Sequence, residues 1–526
     1  MAEAEGKAVR PRRRGPVLRA VGLVLLALLL FLVWLAATPL PRPRPAFDRP
    51  IWIGPVDVID QVTATVIPGQ AIAIHRGRIE RVVPAANLNP RTQQAMVAPG
   101  GRFVVPGLWD MHALLTRYAP SLEQPLYLAH GVTRVRNILD CPGEGSVNLH
   151  PCASQKARWN TGIALGSMAG PIVVGSGTFP VGGADRLHRD SNPVYAAATP
   201  QQARALVRRF ADTRGARDHI KTYDGLPRGI FFALMDEARK AGVEVSGHIP
   251  AAVSVAEAAS AGFKAIAHAR ALPIGCSTRE AEIMRLRSAG APGSQWMKLA
   301  LDHYDPERCS ALLALLREKG TYISPTLVTR YSETRAGMAE MSSDPAVLAA
   351  SPGVFELIWR EDIAAIDART PEEEKLYAAF YAAAAERTAD ASRAGVKLLL
   401  GSDTGDAYVA PGLGLMKEME LWRRAGIAPA AILRAATSDA AAYFGLESRI
   451  GRVAPGQVAD LVFLGADPLR DPAALKRPAA VLQGGRLYRR LALDQAEKEA
   501  QATASSWRFT IHFLRDFLRN PLGFTG

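Results

Sequence analysis

The sequence predicts an α/β protein: a (β/α)8 TIM-like barrel with an appended small β-sandwich, preceded by one N-terminal transmembrane helix. Three observations carry this. Between residues 106 and 445, eight apolar strand-like runs alternate with amphipathic segments. Short β-rich patterns broken by Gly and Pro fill 51–105 and return over 446–490. An uncharged run of eighteen residues, AVGLVLLALLLFLVWLAA, occupies 20–37.

Taken from the N-terminus, residues 1–19 form a basic segment containing Arg10, Arg12, Arg13, Arg14 and Arg19. The positive-inside rule keeps such a segment cytoplasmic, so the run 20–37 reads as a signal anchor that sends the body out of the cytoplasm. A cleaved signal peptide is the competing reading, with a shorter apolar region and a small-residue cleavage site that Leu35-Ala36-Ala37 does not supply. Pro39, Pro41, Pro43 and Pro45 make 38–50 a stiff linker. Residues 51–105 and 446–490 then supply the sandwich. The eight barrel strands are expected at 103–108, 132–138, 171–175, 219–221, 243–246, 264–267, 321–324 and 396–401.

The tail 491–526 ends in a helix over Trp507–Arg519. Phe509, Ile511, Phe513, Leu514, Phe517 and Leu518 share one arc with Trp507, and Arg508, His512, Arg515, Asp516 and Arg519 share the other. Two roles fit this pattern: a helix lying on a membrane surface, or one docked onto the barrel or a second subunit.

The chain has 526 residues and a formal charge of +13, and nine of those charges lie in residues 1–19, the linker and the tail from Arg486 onward. The body is nearly neutral, which argues against a nucleic-acid partner. The four cysteines, Cys141, Cys152, Cys276 and Cys309, lack metal-type spacing. In an extracytoplasmic body an even number reads as disulfides, and proximity favours Cys141–Cys152 with Cys276–Cys309 among three connectivities.

Reactive residues of such a barrel sit at the C-terminal ends of its strands. There the sequence places Trp109-Asp110-Met111-His112, Lys221, Gly247-His248, His268 and Gly401-Ser402-Asp403. A single histidine in an apolar setting is usually a hydrogen-bonded core residue, but five ligand- or base-capable side chains at five strand ends point to a metal-dependent hydrolytic site. Two imidazoles and an oxygen anion suit Zn2+. A lysine binds metal poorly while protonated, whereas a neutral buried amine reacts with CO2 to give an anionic carbamate. Asp403 is placed to move a proton between water and a leaving amine. His75, His150, His219, His303 and His512 fall in exposed-looking or off-register positions, His130 reads as structural, and His188 as a substrate-loop contact.

The segments VVPGLWDMH, IKTYDGLP, VSGHIPAAVSVAEAASAG, LLLGSDTG and AATSDAAAYFGLESRIGRVAPGQVADLVFL, in this order, resemble the amidohydrolase superfamily, in its imidazolonepropionase-like and Xaa-Pro dipeptidase-like (prolidase-like) branch. The resemblance covers about 51–490. It implies a barrel with a sandwich and hydrolysis of C–N bonds in an amide, cyclic amide or dipeptide. It also implies metal ligands at His112, Lys221 (as N6-carboxylysine), His248, His268 and Asp403, with Asp403 as general base and Tyr223 near the substrate carbonyl. The sequence departs from the family at strand 1, where His-x-His becomes His112-Ala113-Leu114. One zinc is therefore expected at Lys221, His248 and His268, with the site at His112 weak or empty. Gly182-Gly183-Ala184 also lacks a histidine often found after the paired glycines. The alternative that Leu114 motivates is a degenerate barrel that binds a ligand or partner without turnover. Expected partners are a small-molecule substrate and the membrane, with a homo-oligomer left open.

Overall fold

The computed structural model describes residues 15–38, 51–175 apart from 142, 144 and 146, 179–183, 195–213, 218–483, 486–521 and 524. The basic segment 1–14, the linker from 39 to 50 and His188 lie outside the described residues.

The two β-rich ends of the body meet in one sheet. Strands β1 (Ile51–Asp60), β2 (Thr65–His75), β3 (Arg78–Pro84) and β4 (Phe103–Pro106) come from the N-terminal side. The strands β14 (Leu461–Leu464), β15 (Ala480–Gln483) and β16 (Arg486–Arg489) come from the C-terminal side. The order β16-β15-β14-β4-β1-β2-β3 joins them through β4, so the expected sandwich takes the form of a single seven-stranded sheet. Its inward residues, among them Ile53, Ile72, Val104, Leu461 and Phe463, are fully buried in one cluster.

The barrel is formed by β5 (Leu108–Ala113), β6 (Val132–Asn137), β7 (Ile172–Val174), β8 (Phe179–Gly182), β9 (Tyr195–Ala196), β10 (His219–Thr222), β11 (Glu244–Gly247), β12 (Ala265–Ala267) and β13 (Tyr322–Ser324), all paired in parallel. β7 pairs with β6 and β8 with β10, so these two pieces share the third position, and β9 adds to the edge of β8. The segment after Val396 closes the ring. Leu399 donates to Ile323 O (2.8 Å), and Leu400 O accepts from Met111 N (2.8 Å).

The expected first strand is divided. Residues 103–106 belong to the seven-stranded sheet, and the barrel strand proper starts at Leu108. Gly107 makes the passage because a Cβ there would collide with the Thr133 side chain. Around the barrel, helices bury residues such as Phe231, Leu316, Leu415 and Trp422 completely, each worth about 1.5–3 kcal/mol relative to exposure. Thr370 and Glu373 form a capping box that starts the helix Pro371–Arg393.

The expected transmembrane helix is corrected. Among the described residues, no helix is long and apolar enough to cross a membrane. In the helix Gly15–Ala37, side chains are described for residues 21–37, a length of about 25 Å against a hydrocarbon core of about 30 Å. Its end is docked on the protein: Leu35 is buried, His512 Nε2 lies 3.1 Å from Leu35 O, and Arg508 donates to Thr38 Oγ1 at 2.5 Å. The signal anchor and the extracytoplasmic placement of the body fall with the span. The helix Trp507–Arg519 takes the docked role: Phe509 and Phe513 are fully buried against Tyr118 and Phe355. A membrane-surface role for this helix is not supported.

Candidate active site

His112 ends β5, Lys221 lies in β10, and His248, His268 and Asp403 follow β11, β12 and the eighth strand. The structure brings these elements to one end of the barrel, at the floor of a cavity of about 560 Å³ lined by Lys221, Tyr223, His248, His268 and Asp403, with Leu114 in the wall. Donor atoms of His112, His268 and Asp403 all lie within 4.8 Å of one another, and all three residues are buried. His112 Nε2 stands 3.2 Å from Asp403 Oδ1, and His268 Nδ1 stands 3.6 Å from Asp403 Oδ2.

Backbone geometry sets this convergence. His268 and Asp403 have φ of 68° and 57°, a left-handed conformation rare outside glycine. Such local strain persists where the surroundings over-determine it, and it concentrates at functional sites. Gly247 has φ 117°, and a Cβ there would meet Lys221 Cγ at 2.8 Å. Glycine thus leaves room for the lysine stem.

The Nε2 atoms of His248 and His268 face each other at 2.9 Å. Arg270 donates toward His248 Nδ1 at 3.3 Å, and His268 Nδ1 lies 2.7 Å from Thr326 Oγ1. One tautomer set satisfies all three contacts: His248 carries its proton on Nε2 and donates it to His268, whose Nδ1–H donates to Thr326. Burial holds His248 down to about 4, against the opposing pull of Asp224. Burial works against ionisation of Asp403, yet His112 and then Lys221 outweigh it and keep the carboxyl at about 2. Neutral imidazoles around an ionised carboxylate form a donor set suited to a divalent cation. The buried His112 Nε2 lacks a hydrogen-bond partner, which fits a ligand atom held ready for such an ion.

A supporting layer surrounds these groups. Asp110 accepts from His112 N (3.2 Å), Ser402 N (3.0 Å) and Ser402 Oγ (2.5 Å), tying the first strand end to the last. Asp224 accepts from Arg270 at 2.6 Å. Burial opposes its ionisation, but the charge of Arg270 holds it well below the usual carboxylate range. Asp110 and Asp224 lie inside the quoted motifs WDMH and KTYDG, and Arg270 stands two residues after His268. That proximity was the available signal. Thr326 carries none.

Tyr223 sits in the cavity wall, its ring 5.1 Å from His248 and its face 4.9 Å from Lys221 Nζ. Two disulfides close as the proximity argument favours, Cys141–Cys152 and Cys276–Cys309. His130 bonds Lys476 O through Nδ1 at 3.0 Å, a structural role. His219 and His150 are buried rather than exposed, and His219 lies in β10 beneath the site. His219 precedes Lys221 by two residues in this strand, so alternation puts both on one face, which the off-register reading overlooked.

Residues 227–487, about half of the chain, match the amidohydrolase family. No curated protein matches the sequence. Among solved structures, a bottromycin amidohydrolase is 22% identical with a TM-score of 0.66, over 89% of this chain and 92% of that one. A protein of Bifidobacterium longum named as a prolidase is also 22% identical, with a TM-score of 0.57 over 88% of this chain and 100% of that one. An Xaa-Pro dipeptidase with methionine in its active site is 18% identical, with a TM-score of 0.57 over 84% and 100%. Those likenesses show the fold, and the family match adds the enzyme class. The chain belongs to the amidohydrolase family, hydrolases of carbon–nitrogen bonds.

Proposed function

We propose that the protein cleaves the C–N bond of an amide, cyclic amide or dipeptide with one Zn2+ bound at the barrel mouth. The observation that carries this is the meeting of His112, His268 and Asp403 within 4.8 Å, with His248 alongside, under a cavity of small-molecule size. His268 belongs to both candidate groupings, His112–His268–Asp403 and Lys221–His248–His268, with Lys221 in the second as its N6-carboxy form. A bound zinc supplies Lewis acidity toward the scissile carbonyl and toward water.

The side chains themselves do the rest. Asp403, ionised and pinned beside His112, takes a proton from the attacking water and passes it to the departing amine nitrogen. Tyr223, its ring 5.1 Å from His248, stands at the same floor and orients the carbonyl. Trp296, Tyr377, Phe380 and Tyr381 line the cavity farther out and offer apolar surface to the substrate side chain.

The test is metal analysis and a screen of dipeptides and N-acyl amino acids. Near one zinc per chain is expected, lost in His268→Ala, while Asp403→Asn removes turnover. Comparing His112→Ala with His248→Ala tells which grouping holds the ion. A protein that never retains metal would favour a binding role without turnover, which Leu114 in the cavity wall already motivates.

A further inference from the structure

Lys221 lines two cavities. One is the open site; the other is a small chamber of about 10 Å³ in the barrel interior, which His112, Arg136, His219, Ser246 and Ser324 also line. That volume matches one water-sized sphere.

The polar atoms around this chamber are left over after every other contact is made. Arg136 Nε, His219 Nδ1 and Ser324 Oγ are all buried without a hydrogen-bond partner. Their residues are only 3%, 1% and 1% exposed. A buried polar group without a partner costs about 1–3 kcal/mol, so several such atoms facing one dry void would be hard to sustain. Arg136 is held so that one edge remains free: Nη2 donates to Ser246 Oγ at 2.7 Å and to Tyr443 OH at 3.0 Å, and Nε is left to the chamber.

We propose that this chamber binds a single water molecule, which accepts from Arg136 Nε–H and donates to His219 Nδ1 and Ser324 Oγ. Three hydrogen bonds are the usual complement of a buried water. The water fills the floor under Lys221 and His112 and holds both in position, with Arg136 and Ser324 as positioning residues. The site itself stands on the chamber and its lining; the positioning role rests on the zinc reading given above. A small anion is the competitor, because Arg136 is cationic and no carboxylate lines the chamber.

Crystals of the full chain, one set soaked in bromide, decide between them. One solvent peak at about 2.7–3.2 Å from Arg136 Nε, His219 Nδ1 and Ser324 Oγ, without anomalous signal, is the expected result. A bromide peak overturns the water in favour of an anion, and a chamber without density overturns the site. In Ser324→Val, which fills the chamber and removes a partner, the peak should vanish and the zinc Kd from chelator competition should rise about tenfold. An unchanged zinc Kd with the peak lost overturns the positioning role. Should that variant not fold, the wild-type crystals and Ser324→Ala, with the same two readouts, keep the proposal falsifiable.

Discussion

Gly401 lies so close to His112 that a Cβ at position 401 would stand 2.5 Å from the Cβ of His112 and 2.7 Å from its backbone nitrogen. The last barrel strand presses on the first at the point where each delivers a functional side chain. Backbone cannot swing aside as a long side chain can. Gly401→Ala should therefore cost about 1–3 kcal/mol of stability, as overpacking does, and reduce zinc content as His112 shifts. Gly229→Ala, where no atom would lie within 4 Å of the new Cβ, is the control and should leave zinc binding intact. Urea midpoints and metal analysis on both variants check the pair; equal zinc content would show that the contact is not what seats His112.

Glu418 is fully buried, accepting from Val328 N at 2.7 Å and Trp422 Nε1 at 2.6 Å. Burial dominates these hydrogen bonds and pushes its carboxyl up to about 8. The unfolded chain loses this proton near pH 4.5 and the folded chain only near 8, so between those values the folded state binds more protons. Stability must fall as pH rises across that window, at up to about 1.4 kcal/mol per pH unit from this group. Glu418→Gln should lose that part of the slope and gain relative to wild type as pH rises. Urea unfolding from about pH 5 to pH 8 tests it, and parallel profiles for the two proteins would refute it.

Much of this architecture was legible because period and strand-end placement are local signals. His112, Lys221, His248, His268 and Asp403 each end a run whose pattern is plain in the sequence. The left-handed backbone at His268 and Asp403 was not legible, since no glycine or asparagine marks it. Nor was the split of 103–113 at Gly107, because one apolar run from Phe103 to Trp109 continues across it and only Thr133, a distant residue, shows why the chain must turn. The run 20–37 misled for a different reason. Its composition is that of a span, and the docking of Leu35 by His512 depends on a segment some 480 residues away.

The two disulfides differ in the loops they close, with sequence separations of 11 for Cys141–Cys152 and 33 for Cys276–Cys309. Chain-entropy arguments give about 3 kcal/mol for the first and about 4 kcal/mol for the second. The first also braces Leu139, which lines the open cavity two residues before Cys141. Paired Cys→Ala replacement at 276 and 309 should therefore lower the urea midpoint more, whereas replacement at 141 and 152 should raise KM as well. Equal KM values in the two variants would show that the shorter loop does not shape the cavity.

Leu114 supplies the most direct test of why one zinc is expected instead of two. It stands two residues beyond His112, one past the end of β5. Its amide donates to Thr404 O at 2.9 Å, which anchors it beside Asp403, and its side chain lines the cavity. An imidazole at that position would add a nitrogen ligand next to His112 without moving the backbone. Leu114→His should raise zinc from near one toward two per chain after dialysis against dilute metal, with the urea midpoint within about 1.5 kcal/mol of wild type. If the stoichiometry stays at one, the missing ligand is not what limits the second position, and the difference must be sought in the pairing of His112 with Asp403.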